Sequence, residues 1–360
     1  MLPANCAGLR SIKLWTCLGL CALISLLVIQ QVSLHANAVW FQQDCRGAFF
    51  NDNLKKSGRE ASYITQPRKR LIKPASHSSN KTAVICACMM EEEANVDEWV
   101  DYNLGIGFSH IYIYDNTELF ELEQWAQERL LVFNDPVTVV HDKRKGLQRQ
   151  VYRECAELMF KKGHTWAFFV DVDEFLVVKD RKRFPHIVDY FQYQVPRGAS
   201  AIRWRVFGTA GRKTFEPVPV TKKFQFRTSD DFKMNQQVKS VSYLQDYDFE
   251  KKKIKTPHYV PVVKGQKYGW ADTEDAVIHH YRFKSWVEYV RKRKKGDVLF
   301  GFQRHVKEAE EGKTQHGDPI PRGTIFDDTA WQILKSVAPR YAVYDDFYSI
   351  PRYVPPGEDE

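Results

Sequence analysis

The stretch Phe168-Phe169-Val170-Asp171-Val172-Asp173-Glu174-Phe175 decides which fold the chain can adopt. The apolar run that opens it, residues 165–170, predicts a buried strand, and the carboxylates follow at its carboxyl end. In an open α/β sheet, that edge is where ligands bind. Asp171 and Asp173 lie two residues apart, so on an extended backbone both side chains point to the same side. Two hard oxygens in this arrangement suit Mg²⁺ or Mn²⁺ shared with a diphosphate, although acidic pairs also occur in solvated turns.

Strand and helix patterns alternate around this stretch from Thr82 onward. The predicted strands cover residues 83–89, 110–114, 136–140 and 166–170, and the predicted helices between them cover residues 93–104, 118–129 and 147–161. Alternation of this kind is typical of βαβ units, which build a parallel sheet. Beyond residue 195 the pattern becomes irregular and rich in strands. The sequence therefore predicts an α/β fold: an open, mostly parallel, Rossmann-like sheet with helices on both faces and an irregular β-rich C-terminal part.

The net charge of +8 is confined to the N-terminal part of the chain. Residues 1–50 contribute +2, from three basic and one acidic residue, and residues 51–81 contribute +6, from eight basic and two acidic residues. Residues 82–360 carry 42 residues of each sign and are therefore neutral. A neutral domain behind a basic segment lacks the basic surface that nucleic-acid-binding proteins use. We therefore expect no nucleic-acid partner.

The N-terminus has the pattern of a membrane anchor. Residues 14–43 carry no charged side chain, and Arg10 and Lys13 precede them. A helix needs about 20 apolar residues to cross a bilayer, and the preceding positive charges favour a cytoplasmic N-terminus. The sequence thus predicts a single-pass type II membrane protein whose remaining chain is luminal. The alternative is a signal peptide that is cleaved near Ala36-Asn37-Ala38.

These features divide the chain into five predicted parts. They are a cytoplasmic tail (1–13), a signal-anchor transmembrane helix (14–34), a luminal stem (35–81), a catalytic domain (82–345) and a C-terminal tail (346–360). The stem is predicted because its polar, basic and proline residues cannot bury a core. The sequon Asn80-Lys81-Thr82 agrees with luminal exposure of the stem, and so with a glycoprotein.

Four cysteines fall outside the predicted tail and anchor: Cys45, Cys86, Cys88 and Cys155. Cys86 and Cys88 lie inside the first predicted strand, with no second cysteine pair and no histidine spacing that would complete a zinc site. The sequence therefore predicts that they are buried free thiols.

Four segments along the chain carry a set of motifs. The first, residues 91–116, joins an acidic helix start to a Glu-Trp pair, a glycine-containing turn and a strand that ends in Tyr-Asp-Asn. The others are residues 171–175, 204–211 and 280–285. In this order, the four segments resemble glycosyltransferases of the family 92 and family 2-like group, and the resemblance covers residues 82–300. It implies a GT-A fold, hexosyltransferase activity and a nucleotide-sugar site at the carboxyl edge of the sheet.

That implied site and the predicted sheet edge point to the same side chains for donor binding. Glu91 or Glu92 can accept hydrogen bonds from the ribose hydroxyls or the uracil N–H, or they can simply favour a helix N-terminus through its dipole. Asp115 and Asn116 can bind the base, or they can close an Asx turn. Asp171 is predicted to contact both the donor and the metal.

His280 is predicted to be the third metal ligand beside the two carboxylates, because imidazole suits Mn²⁺ and the residue directly precedes the tyrosine of the family motif. His258 is the alternative ligand. Lys284 is predicted to place its ammonium against the diphosphate and to help the nucleotide leave. The basic run Arg291–Lys295 predicts a solvated helix end.

An inverting transfer also needs a carboxylate that deprotonates the acceptor hydroxyl. Asp231 is the predicted base, because it follows a basic and aromatic stretch in a loop region. Asp230, Glu216, Glu274 and Asp275 remain alternatives.

The sequence thus predicts a metal-dependent glycosyltransferase anchored in the Golgi membrane, with its catalytic domain in the lumen. Its predicted cofactor is Mn²⁺ or Mg²⁺, and its predicted donor is a nucleotide sugar, with a UDP-sugar favoured. It transfers a hexose to a glycan acceptor, and the family resemblance favours inversion and is compatible with galactose as that hexose. Two alternatives stay open: a metal-dependent phosphohydrolase that uses the same carboxylates, and a catalytically inactive lectin-like protein of the same fold.

Overall fold

The computed structural model of the protein describes residues 79–251, 256–296 and 298–348. The predicted cytoplasmic tail, signal anchor and cleavage site, and nearly all of the predicted stem, lie outside these residues. The predicted C-terminal tail lies outside them beyond residue 348. In the described part, no helix combines the length and the apolar character that crossing a membrane requires.

The strands begin and end close to where the sequence patterns predict. Within the described residues they are β1 (Ala83–Met89), β2 (His110–Asp115), β3 (Val137–His141), β4 (Trp166–Phe169), β5 (Glu174–Val178), β6 (Ala199–Val206), β7 (Phe226–Arg227), β8 (Val238–Tyr243), β9 (Tyr268–Trp270), β10 (Ala276–His280) and β11 (Ile325–Phe326). The bounds of β1 are those predicted, β2 and β4 differ from the prediction by one residue at one end, and β3 is shifted by one residue.

The helices of the described part alternate with the first strands, as expected. They are α1 (Glu93–Gly105), α2 (Glu123–Phe133), α3 (Gln148–Lys161), α4 (Ile187–Gln194), α5 (Val220–Lys223), α6 (Trp286–Lys295), α7 (Val306–Glu310), α8 (Thr329–Val337) and α9 (Val343–Phe347). Short 3₁₀ helices lie at Lys233–Gln236, Leu244–Asp246 and Pro339–Ala342. Only α2 begins well after its predicted start, because the preceding residues form a turn whose backbone N–H groups at Thr117 and Leu122 donate to Asp115.

The large sheet has the strand order β3-β2-β1-β4-β8-β6-β10-β5, and β9 pairs with the beginning of β6. Five of its eight strand pairings are parallel, and the antiparallel ones all involve β8 or β5. β7 and β11 form a separate antiparallel pair. The predicted α/β class is therefore confirmed: the sheet is open and mostly parallel, and the second half of the chain adds short strands and loops.

β1 shows that both faces of the sheet are covered. Its residues alternate between two apolar clusters: Ile85 and Ala87 belong to the cluster that contains α1, α4 and α8, whereas Val84 and Cys86 belong to the cluster that contains α3. All residues of β1 are buried. A parallel strand covered on both faces is expected to be apolar throughout, which is why this strand could be recognised from the sequence.

Cys86 and Cys155 form a disulfide that ties α3 to the centre of the sheet. The prediction that Cys86 is a free thiol is therefore wrong, whereas Cys88 is a buried free cysteine as predicted. The two bonded residues are 69 positions apart in the sequence, and their spacing alone does not reveal the pair. They meet because α3 packs on the face of the sheet to which Cys86 points.

We expect this disulfide to contribute substantially to stability. The double variant Cys86→Ala, Cys155→Ala should lower the free energy of unfolding by ~4 kcal/mol, the loop-entropy value for a closed loop of this length. Urea denaturation under oxidising and reducing conditions measures the effect. Dithiothreitol should bring the unmodified protein down to the double variant and leave the double variant unchanged. Cys88→Ala, which removes a buried thiol but no bond, is the control, and an equal loss in that variant would contradict the prediction.

Candidate active site

A cavity of about 660 Å³ opens at the carboxyl ends of β1, β4 and β10, and Asp171, Asp173 and His280 line it. β5 pairs with β10 so that Glu174 lies opposite His280. The backbone N–H of Tyr281 donates to the carbonyl of Asp173 at 2.8 Å. This register brings His280 to the acidic turn although more than a hundred residues separate the two in the sequence.

Asp173 is nearly inaccessible, with 3% of its side chain exposed. Its Oδ2 lies 3.6 Å from Nε2 of His280 and also accepts a hydrogen bond from Nζ of Lys292. Burial alone raises the pKa of a carboxyl, but Lys292, His280 and Lys284 together outweigh burial and hold the pKa of Asp173 well below its usual range. Asp173 is therefore a buried, ionised carboxylate with a lysine as its counterion.

His280 is a buried neutral imidazole that faces this carboxylate. Its ring packs edge-on against Trp204, with the ring centroids 4.2 Å apart. Burial lowers the pKa of His280 to about 4, against the opposing effect of Asp173. Its Nδ1 has no hydrogen-bond partner within the described residues. His258 also lines the cavity, but its Nδ1 lies 2.9 Å from the carbonyl oxygen of Val238, so of the two histidines the structure brings His280 to Asp173.

Asp171 is held by residues of two other elements. Its Oδ2 lies 2.8 Å from Nζ of Lys239 in β8, and its Oδ1 accepts hydrogen bonds from Gln148 at 2.7 Å and Tyr152 at 3.2 Å, both in α3. Lys239 is buried and also lies 3.4 Å from Glu174, whose pKa burial raises to about 8. One lysine thus serves two neighbouring carboxyl groups.

Lys239 is one of the site residues that sequence reasoning missed. It lies within β8, between Val238 and Val241, in a strand whose neighbouring residues are buried. A lysine in such a position is almost never buried without a partner. Its burial therefore requires a carboxylate partner across the sheet, which the sequence alone does not reveal.

Glu92 is a second buried carboxylate, surrounded by lysines. Its Oε2 lies 2.9 Å from Nζ of Lys284, and its Oε1 lies 3.0 Å from Nζ of Lys295. Burial alone would raise the pKa of Glu92, but Lys284, Lys295 and Lys292 together lower it below its usual range. Glu92, Lys292 and Lys295 line the large cavity, whereas Lys284 lines a smaller pocket beside it.

Lys292 and Lys295 come from α6, and the prediction that residues 291–295 form a solvated helix end is wrong for these two. α6 begins with a capping box, in which Ser285 and Glu288 each accept a hydrogen bond from the other's backbone N–H. Lysines three residues apart lie on the same helix face, so both reach the site. Their partners, Asp173 and Glu92, are distant in the sequence, and the local charge pattern does not reveal them.

Asp115, Asn116 and Glu91, which were predicted to bind the nucleotide, have structural partners. The carboxylate of Asp115 accepts hydrogen bonds from Thr117 N at 2.9 Å, Thr117 Oγ1 at 2.7 Å and Leu122 N at 3.0 Å. Asn116 donates to two backbone carbonyls of the loop after β3, and Glu91 pairs with an arginine of α6. Asp115 therefore closes an Asx turn, and none of the three lines the large cavity in the described part of the chain.

Asp231, the predicted base, is exposed, and it is not among the described residues that line the cavity. Its neighbour Phe232 lines the cavity instead. Asp318, in the loop after α7, is an exposed carboxylate that does line the cavity, and no sequence signal had distinguished it.

The arrangement offers two protein donors to a metal ion rather than three. Among the described residues, no group of three or more His, Cys, Asp or Glu side chains could hold an ion. Asp173 Oδ2 and His280 Nε2 face each other at 3.6 Å, and two ligands of one ion, each at about 2.1 Å, can lie up to about 4 Å apart. The pair therefore fits an ion that takes its other ligands from water and a diphosphate, as Mg²⁺ commonly does.

Comparisons with known proteins identify relatives of the chain. A model of the family described as glycosyltransferase family 92 matches residues 81–318, more than half of the chain. A glycosyltransferase family 92 protein of rice (Oryza sativa subsp. japonica) is 22% identical over 245 residues, which span 65% of this chain but only 39% of the rice protein. A crystal structure of residues 1–349 of S. aureus TarS is 8% identical, covers 65% of this chain and 73% of that chain, and has a TM-score of 0.34. So low a score establishes no shared topology.

The buried lysine of β8 yields a stability prediction. Lys239→Met should lower the free energy of unfolding by about 3 kcal/mol, because it removes the buried ammonium that both the half-buried Asp171 and the buried Glu174 contact. Chemical denaturation measures the change. Lys233→Met, at an exposed position that also lines the cavity, should leave stability nearly unchanged. Equal stability of the two variants would mean that water or protonation compensates for the missing ammonium.

Proposed function

The chain belongs to glycosyltransferase family 92, and from that premise we propose that it transfers a hexose such as galactose from a UDP-linked sugar to a glycan acceptor, with inversion. The observation that carries the proposal is the convergence of Asp173, His280 and Lys292 in one cavity. A volume of about 660 Å³ lies in the range of small-molecule sites and can accommodate a nucleotide sugar. Lysines among buried carboxylates suit a ligand that carries phosphate groups.

We assign the divalent ion, Mn²⁺ or Mg²⁺, to Asp173 and His280. The neutral imidazole and the ionised carboxylate are both in the protonation state that metal ligands require. Asp171 contributes negative charge close by, while Lys239 holds its side chain in place. When bound, the ion supplies positive charge that stabilises the departing diphosphate.

In the proposed transfer, an acceptor hydroxyl attacks the anomeric carbon of the donor sugar. A new C–O bond forms, the bond to the diphosphate oxygen breaks, and its electron pair leaves with UDP. The hydroxyl proton passes to a carboxylate of the protein. The cavity holds the two substrates together, which removes the entropic cost of their encounter from the chemical step.

Asp318 is our candidate for that carboxylate in place of Asp231. The other carboxylates that line the cavity, Glu92, Asp171 and Asp173, are each held by lysines. Asp318 takes part in no ion pair with the described residues, and its exposure leaves it accessible to an acceptor. A base has to be free to receive a proton, so this carboxylate suits the role best.

We further propose that the enzyme is anchored in the Golgi membrane by residues 14–34, with its catalytic domain in the lumen. The uncharged N-terminal stretch supports an anchor. The disulfide between Cys86 and Cys155 supports an oxidising compartment, because such bonds are rare in the cytosol. Sequencing the N-terminus of the mature protein distinguishes the anchor from a signal peptide cleaved near Ala38.

The proposed function is tested by hydrolysis and transfer assays of UDP-sugars. The purified protein should release UDP in the presence of Mn²⁺, lose this activity with EDTA and regain it when Mn²⁺ is restored. Asp173→Asn should reduce the activity at least about a hundredfold, because the ion loses its charged ligand. Its melting midpoint should fall only slightly, since the freed Lys292 can reach water.

Asp230→Asn, at an exposed position outside the cavity lining of the described part, is the control and should retain activity. Binding of glycans without UDP release would favour the lectin-like alternative. Release of inorganic phosphate from UDP or from phosphate esters, with no sugar transfer, would favour the phosphohydrolase.

The two candidate bases give a separate prediction. Asp318→Asn should lower kcat by about a hundredfold or more while changing the KM for the donor little, because loss of a general base affects the chemical step. Asp231→Asn should leave kcat near that of the unmodified protein. Steady-state kinetics with a UDP-sugar and a glycan acceptor provide the measurement, and the reverse pattern would restore Asp231 as the base.

A further inference from the structure

Two groups converge on one oxygen of Asp173. Nε2 of His280 lies 3.6 Å from Oδ2, and Nζ of Lys292 donates a hydrogen bond to the same Oδ2. At these positions, an ion held between Asp173 and His280 binds this oxygen. Because the ion and the ammonium are both positively charged, each weakens the contact of the other with it. The ion and Lys292 are therefore competitors.

Lys292 is also the most accessible of the lysines that hold the site's carboxylates. Its side chain is 28% exposed, compared with 1% for Lys239, 7% for Lys284 and 9% for Lys295. Lys295 keeps α6 attached to Glu92 one turn further along. Lys292 can therefore change its rotamer within the cavity while the helix stays in place, since its flexible four-carbon stem provides the reach.

We propose that Lys292 is a displaceable counterion: it neutralises Asp173 until a divalent ion binds, and it then turns to the diphosphate of the donor and stabilises the leaving group. The inference rests on the proposed function, because it requires both the ion and the diphosphate in this cavity. In this proposal, binding of the ion releases the Lys292 ammonium, so that the diphosphate contacts both the ion and the ammonium.

Lys284, the residue predicted to serve the diphosphate, is less well placed for that role. It lies 2.9 Å from Glu92 and lines the smaller pocket. Its backbone has a positive φ of 51°. A non-glycine residue keeps this unfavourable conformation only where the surrounding structure holds it in place. Lys284 therefore acts on Glu92, which in turn holds Lys295.

The test measures binding of Mn²⁺ and of UDP to the purified full chain by isothermal titration calorimetry. In Lys292→Met, Mn²⁺ without UDP should bind about tenfold more tightly, because no ammonium competes for Asp173. UDP at saturating Mn²⁺ should bind about tenfold more weakly, because the diphosphate loses a charged partner. These opposite changes are specific to a counterion that changes partners, since a lysine with a purely structural role shifts both affinities in one direction or neither.

Lys233→Met is the matched control, because it removes one positive charge from an exposed position in the lining of the same cavity. An equal gain in Mn²⁺ affinity in both methionine variants would reduce the effect to general electrostatics and overturn the proposal. Lys292→Arg keeps the charge, so UDP should bind nearly as in the unmodified protein and Mn²⁺ should gain little. Melting curves confirm that the variants fold.

The same titrations separate two kinds of failure. If the unmodified protein binds neither Mn²⁺ nor UDP, the proposed function itself is wrong. If it binds both and Lys292→Met changes neither affinity, the proposed function stands and the inference about Lys292 is wrong.

Discussion

The structure depends on how the chain accommodates three carboxyl groups within four residues: Asp173 and Glu174, which are buried, and Asp171, which is half-buried. An isolated carboxylate is too costly to bury, so each needs a positive or hydrogen-bonding partner. β8 supplies Lys239, and α6 supplies Lys292. Both elements therefore bring a lysine to the turn between β4 and β5, and the cavity opens beside that turn.

Local patterns were sufficient to predict the first half of the fold. Buried parallel strands are continuous apolar runs, and the helices between them show their own period, so β1 to β4 and α3 were predicted almost to the residue. The turn before α2 was not predicted, because it depends on hydrogen bonds to the Asp115 side chain. The disulfide could not be predicted either, because it requires knowing which face of β1 the helix α3 covers.

The residues of the site likewise include some that local sequence patterns predict and others that depend on distant contacts. Its carboxylates and His280 stand out in the sequence because an acidic turn directly follows an apolar strand and a histidine ends another. Their counterions do not, because Lys239 and Lys292 lie 68 and 119 residues from their partners, and a basic run on a helix is usually solvated. The sequence predicts that Lys284, four residues after His280, serves the diphosphate, and that Lys292 lies in a solvated helix end. In the folded protein, Lys292 and Lys295 lie on the face of α6 that lines the cavity.

The paired charges also explain how such a site can favour a transition state. A lysine in water has to be desolvated and oriented when a phosphate arrives, and this reorganisation offsets much of the attraction. Here Glu92 has already drawn Lys295 out of solvent and fixed its position, and Asp173 holds Lys292 beside the cavity, partly shielded from solvent. These ammonium groups are therefore positioned when the protein folds, and substrate binding does not have to supply the free energy for it. The carboxylates act on the chemistry indirectly, because they hold positive charge in a cavity where negative charge develops as the diphosphate departs.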